Sequence, residues 1–220
     1  DAIYHGGDIS YATGYLAVWD FYMEMMGPVT GSVVYLTTVG NHESDYPSSP
    51  SYYQGTDSGG ECSVLTTKLM PMPYPAETNQ PWWSYDTGLI HMIGLSTEHD
   101  YTTGSPQWEW LKADLQSINR TKTPWVIFGG HRAMYINSNY ECMGENSEYC
   151  GPDVPCTQVD NPDDYAPDDY ITCDATEVPS PTDSAVQALL IKHIEPLLYQ
   201  FKVDIGFYGH NHAVQRHSAV

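Results

Sequence analysis

The sequence predicts an α/β fold built on a layered sheet, and three observations lead there. Four short apolar runs rich in β-branched and aromatic residues recur along the chain, helical segments alternate with them, and every run ends in glycine followed by a polar residue able to bind a metal. The runs are AIYHGGD (2–8), SVVYLTTVGNH (32–42), PWVIFGGH (124–131) and VDIGFYGHNH (203–212). Their near-continuous apolar character predicts strands buried on both faces. A fifth run, LIHMIGLSTEH (89–99), has the same character without a clear ligand.

In chain order, the helix expected after the first run is LAVWDFYMEMM (16–26), stopped by Gly27–Pro28. Residues 44–84, rich in Ser, Tyr, Pro and Gly, read as a long surface loop. A second helix spans 106–118. Ser105 is its N-cap and Pro106 its first residue, with Trp108, Leu111, Leu115 and Ile118 on one face. A third runs from about Asp183 to Phe201, bent or restarted at Pro196. Between the last two lies an acidic insertion at about 136–180, which contains DNPDDYAPDDY and Cys142, Cys150, Cys156 and Cys173.

Composition narrows the function. At 220 residues one domain is expected, and the net charge of −20 disfavours nucleic acid and anionic membrane as partners. No apolar stretch approaches the roughly 20 residues of a bilayer span. With 8 Lys and Arg against 28 Asp and Glu, a phosphate-bearing substrate needs a local cation, and metal ions are the natural source. Irregularly spaced cysteines without a C-x-x-C pair suggest disulfides in an oxidising compartment. Asn119-Arg120-Thr121 is a glycosylation signal that agrees with secretion.

The strand ends deliver Asp8 and Tyr11, Asn41 and His42, His131, and His210 and His212 to one edge of the sheet. Any one of these is weak evidence; four such endings in order are not a coincidence of composition. Because alternate residues of an extended segment point to opposite sides, His210 and His212 are expected to flank two ions rather than share one.

These residues and their order resemble the purple acid phosphatases, a branch of the calcineurin-like metallophosphoesterases. Gly7–Tyr11 matches Gly-Asp-x-x-Tyr, Gly40–Glu43 matches Gly-Asn-His-Glu, His131 follows the next strand, and Gly209–His212 matches Gly-His-x-His. STEHD (96–100), the stretch 104–135 and GHNHAVQR (209–216) are similar to the larger plant, fungal and oomycete members.

The resemblance implies a layered α/β/β/α metallophosphoesterase sandwich, with residues 1–220 forming its catalytic domain. It also implies a secreted acid phosphatase acting on small phosphate esters. Asp8 would bridge two metals, Tyr11 and His212 would bind Fe(III), and Asn41, His131 and His210 a divalent ion, Zn, Mn or Fe. The implied reaction is attack on phosphorus by a metal-bound hydroxide, with His42 as catalytic residue toward the phosphate and leaving group. Glu43, His99 and Arg132 are candidates for supporting or substrate contacts, although in so acidic a chain Arg132 reads first as a structural salt bridge. The family's first motif, Asp-x-Gly, has no counterpart here, so the fold is expected to be incomplete at both termini. Two alternatives stay open beside the monoesterase: a phosphodiesterase on the same scaffold, and an inactive phosphatase-like module of an extracellular assembly. Oligomeric state is not legible.

Overall fold

The structure is a computed structural model that describes residues 2–73, 75–136, 183–212 and 214–217. The predicted acidic insertion, with its four cysteines and any disulfides among them, lies outside the described residues.

Two sheets form the centre. In the first, β1 (Ala2–His5) pairs in parallel with β2 (Val34–Thr37). The second has four strands in the order β3 (Trp83–Thr87), β4 (Ile90–Gly94), β5 (Trp125–Gly129) and β6 (Ile205–Phe207). Its members are parallel except for the antiparallel edge strand β3.

The layers follow from what packs on each face. Leu36, Trp83 and Met92 fill the space between the sheets, with Tyr4 and Ile127 against them. The outer face of the small sheet is covered by α1 (Leu16–Thr30) and α3 (Val64–Leu69), through Trp19, Ile9, Ala12 and Met70. On the far side, Ile93, Leu95, Val126 and Phe128 of the large sheet meet three helices, α4 (Pro106–Ser117), α5 (Asp183–His193) and α6 (Glu195–Gln200). Leu111, Leu115, Leu190, Ile194 and Leu197 supply the helical half of that core. The order of layers is α/β/β/α, as the resemblance implies.

Local chemistry explains the helices. Ser105 caps α4 by accepting from the Trp108 N–H at 3.2 Å, and Pro106 opens it. The helix breaks at Ile194 and restarts as α6 with Pro196 in its first turn, in line with the restart expected there. The Gly27–Pro28 stop did not operate, since α1 continues to Thr30. Proline disfavours a helical predecessor mainly by clashing with its Cβ, and Gly27 has none. Only the bond that a residue-28 N–H would have made is forgone.

Two further expectations are corrected. Residues 44–84 are not a surface loop: they hold α3 and the start of β3, and Ser51, Tyr53, Ser58, Glu61, Ser63, Thr66, Met70, Trp82 and Trp83 are buried. Polar and aromatic loop residues were buried here by side-chain hydrogen bonds, which periodicity does not register. Glu61, for example, accepts from Gly14 N at 3.0 Å and Trp19 Nε1 at 2.9 Å. Nor are all apolar strands buried on both faces, because Ile3, Ile205 and Phe207 remain exposed. Among the described residues no helix is long and apolar enough to cross a membrane.

Candidate metal centre

Each candidate donor is delivered by a turn at the end of a strand. After β1 the chain turns through Gly7 at φ +81°, and places Asp8 and Tyr11 in the left-handed region at φ 55° and 52°. A Cβ on Gly7 would lie 2.7 Å from the Gly40 nitrogen and from His131 Nδ1, and one on Gly40 would collide with Asp8 Oδ1. Both positions must be glycine for the turns after β1 and β2 to touch.

Glu43, in the short helix α2 (Asn41–Ser44), locks this contact. It is 1% exposed and accepts from the N–H groups of Asp8 (2.8 Å), Ile9 (2.7 Å) and Gly40 (2.9 Å). Burial, and then the Asp8 charge, push its carboxyl up to about 7 against the pull of those backbone bonds. Burial alone would raise Asp8 as well. The hydrogen bond and charge of His131, with His42 beside it, hold Asp8 at about 2 instead.

The two oxygens of Asp8 face different neighbours. Oδ1 lies 3.2 Å from His131 Nε2, which is also 3.0 Å from Asn41 Oδ1 and 3.1 Å from His210 Nδ1. Oδ2 accepts from Tyr11 Oη at 3.1 Å, and that oxygen is 3.1 Å from His212 Nε2. In the first set Asn41 and His131 are buried, His131 fully so, and Asp8 and His210 are half-buried, whereas Tyr11 is 44% exposed and His212 is open to solvent.

The donor chemistry of the first set suits a metal ion. His131 Nδ1 lies 2.6 Å from the Gly6 carbonyl, an acceptor only, so the ring proton sits there and Nε2 offers a lone pair. Asn41 donates through Nδ2 to Asp57 Oδ2 at 2.8 Å, which turns its carbonyl oxygen toward the same point. A proton on Nε2 can serve one of the three facing acceptors, and the others still meet lone pair to lone pair. Donors held at right angles about 2.1 Å from one ion stand about 3 Å apart, the spacing seen here. Burial opposes a charged His131, yet the hydrogen bond and charge of Asp8 raise its pKa above the usual histidine value, and the same field favours any cation. Asp8, His131 and His210 form a compact group able to hold a metal. One carboxylate, one amide oxygen and two imidazoles suit a borderline divalent ion.

In the open set, burial and the Asp8 charge push the Tyr11 phenol up to about 12, so its ionisation requires a cation alongside. His42 donates its backbone N–H to Asp8 Oδ1 at 3.3 Å, and its ring lies 4.5 Å from that of Tyr11. Its Nδ1 is buried with no hydrogen-bond partner among the described residues.

The structure thus gathers Asp8, Tyr11, Asn41, His42, Glu43, His131, His210 and His212, and corrects two expectations. His210 and His212 do face different neighbours, but not along an extended segment. His210 sits at φ 65° in a tight turn, with Asn211 N bonded to Gly209 O at 2.8 Å. His99 does not line the site: it is buried against Trp82, bonded to Ser96 Oγ at 2.8 Å, and burial pushes it down to about 4. Arg132 forms the structural salt bridge that so acidic a chain favours and does not face a substrate. Its guanidinium pairs with Glu98 at 3.0 Å and Asp45 at 3.1 Å, over the Tyr53 ring. Asn119 is exposed in the turn between α4 and β5, with Oδ1 accepting from Thr121. Asp57 and Asp183, which contact the donors, were missed. Asp57 has no sequence signal; Asp183 was read only as a helix start.

Residues 1–214 match the family model described as calcineurin-like phosphoesterase. The chain is 32% identical to "Probable inactive purple acid phosphatase 9" of Arabidopsis thaliana, over 98% of this chain and 30% of that protein. It is 28% identical to a barley (Hordeum vulgare) protein named nucleotide pyrophosphatase/phosphodiesterase, over 98% of this chain and 48% of that one. Among solved structures, purple acid phosphatase PPD1 from yellow lupin (Lupinus luteus) seeds superposes with a TM-score of 0.72 at 30% identity, over 96% of this chain and 30% of that chain. The chain therefore spans about a third to a half of the length of these relatives.

Proposed function

Because the chain belongs to the calcineurin-like phosphoesterase family, we propose that it hydrolyses phosphate monoesters as a purple acid phosphatase, with Fe(III) at Tyr11 and His212 and Zn, Mn or Fe at Asn41, His131 and His210. The observation that carries this is Asp8, whose two oxygens face two separate donor sets. Two such ions would supply the positive charge that draws in a phosphate and an acidified water to attack it.

The chain's own residues do the rest. Asp8 spans the two sets, and Glu43 holds its loop by three backbone N–H groups. The Gly6 carbonyl fixes the His131 ring, and Asp57 fixes the Asn41 amide. His42, next to Asn41 and with its ring 4.5 Å from that of Tyr11, stands beside both donor sets, a position suited to binding the phosphate and carrying a proton to the leaving oxygen. Arg132 is bound up with Asp45 and Glu98, so in a chain of net charge −20 substrate capture falls to the metal site.

The test is turnover of p-nitrophenyl phosphate by the metal-loaded full-length protein, read together with absorbance. A violet to pink band that disappears in Tyr11→Phe is expected with activity; a folded, iron- and zinc-loaded protein no faster than buffer overturns the proposal. The barley relative's name favours a phosphodiesterase as second reading, and comparable efficiency on the bis-ester would select it. The Arabidopsis relative's name favours an inactive phosphatase-like module, which a colourless, folded, metal-free protein would support. We extend the proposal to a secreted glycoprotein modified at Asn119 and crosslinked among Cys142, Cys150, Cys156 and Cys173, with small phosphate esters as partners and neither nucleic acid nor membrane.

A further inference from the structure

Of the two imidazoles in the first donor set, His131 is oriented by a backbone carbonyl and His210 by a side chain. His210 Nδ1 points at His131 Nε2 from 3.1 Å, and its Nε2 lies 3.1 Å from Asp183 Oδ1. A neutral imidazole carries one proton, and a carboxylate only accepts, so the proton belongs on Nε2 and the lone pair on Nδ1. The second oxygen of Asp183 accepts from Asn211 Nδ2 at 2.8 Å. One carboxylate therefore grips two consecutive residues of a turn whose His210 sits in a sparsely populated backbone region, at φ 65°. Asp183 is well placed to do so: it is the first residue of α5, where helix polarity favours an anion, and its side chain is 14% exposed. The helix packs in the main core through Val186 and Leu190, so the carboxylate is presented from a fixed base.

We propose that Asp183 is a positioning residue of the metal centre, holding His210 in the tautomer and orientation that present Nδ1 to the divalent ion. The proposal rests on the metallophosphoesterase function above. It assigns a role to the start of α5, and it predicts that metal affinity depends on a residue 27 positions away from the histidine it serves.

The test uses the metal-free full-length protein, Zn²⁺ alone as the probe, calorimetry for affinity, and long-range ¹H–¹⁵N spectra for the His210 ring. The wild type should bind zinc and show the Nε2–H tautomer before metal is added. Asp183→Ala should bind about 10- to 100-fold more weakly, the range usual for loss of a ligand-orienting partner, and its His210 should shift toward a mixture of tautomers. Asp183→Asn is nearly isosteric, keeps one acceptor for Nε2–H, and should recover most of the affinity. That variant also preserves the test if the alanine form does not fold. A merely structural role would lower thermal stability without moving the tautomer. Wild-type binding matched within twofold by Asp183→Ala, with an unchanged tautomer, overturns the positioning role alone. Failure of the wild type to bind zinc overturns the metal-centre reading and this proposal with it.

Discussion

Glu43 makes a quantitative prediction about pH. It is 1% exposed, and burial together with the neighbouring Asp8 charge lifts its carboxyl from the ordinary 4.5 to about 7. Between those values the folded metal-free protein keeps a proton that the unfolded chain has released. Its contribution to stability is therefore full below pH 4.5 and is lost as pH rises through about 7. The rise corresponds to about 3 kcal/mol, and burial leaves little solvent screening to reduce it. Asp8 has the opposite sign, since its depressed carboxyl contributes stability above 3.8 that is lost toward about 2, and the two windows do not overlap. Glu43→Gln removes the titration while keeping one carbonyl to accept from the backbone. Urea unfolding in EDTA from pH 4 to pH 8 should show the variant gaining on the wild type by about 3 kcal/mol across the range. Parallel curves would show that Glu43 is ionised in both states and that its three backbone N–H bonds outweigh its burial.

Other expectations follow from neighbouring contacts. Asp57→Ala leaves the Asn41 amide free to rotate, so zinc affinity should fall about 10-fold by calorimetry with little change in melting temperature. His91 bridges Asp86 at 2.6 Å and Asp114 at 2.9 Å, tying β3 and β4 to α4. Burial opposes its charge, but the two carboxylates outweigh burial and raise its pKa. Its contribution is thus present below about 6.5 and lost as pH rises through the folded value. His91→Ala should cost about 1 to 2 kcal/mol at pH 5 and less at pH 9, a modest figure because Asp86 is largely exposed. Arg132→Met should lower unfolding free energy by about 3 to 5 kcal/mol at pH 7, because Asp45 and Glu98 lose their cation while buried.

What could be read from the sequence was whatever local physics decides. The strands β1, β2, β4, β5 and β6 lie within the predicted apolar runs, and α4 begins at the predicted cap. β3 escaped notice because its sequence, WSYDT, is polar on the edge of the sheet, where Ser84 and Asp86 bond to Asp114 and His91 rather than hide. The burial of residues 44–84 was equally illegible. Ser51, for example, bonds the Glu98 carbonyl at 3.1 Å, and nothing in local spacing announces a partner so distant in the chain.

The same distinction runs through the candidate site. Its donors were legible because each must follow a strand and a glycine, and the structure shows why: Gly7 and Gly40 let two turns approach to a distance no Cβ permits. The groups that aim those donors obey no such local rule. Asp57 reaches Asn41 from a loop, Asp183 reaches His210 from a helix start, and the Gly6 carbonyl reaches His131 from a strand end. Any residue with an acceptor at the right place in space could do the work, so chain position carries no trace of it. The turn at His210 makes the point most directly. Its sequence suggested an extended segment with histidines on opposite sides, whereas a left-handed residue gripped by a distant carboxylate achieves the same division. Substituting the gripping residue therefore tests more about this centre than substituting another donor would.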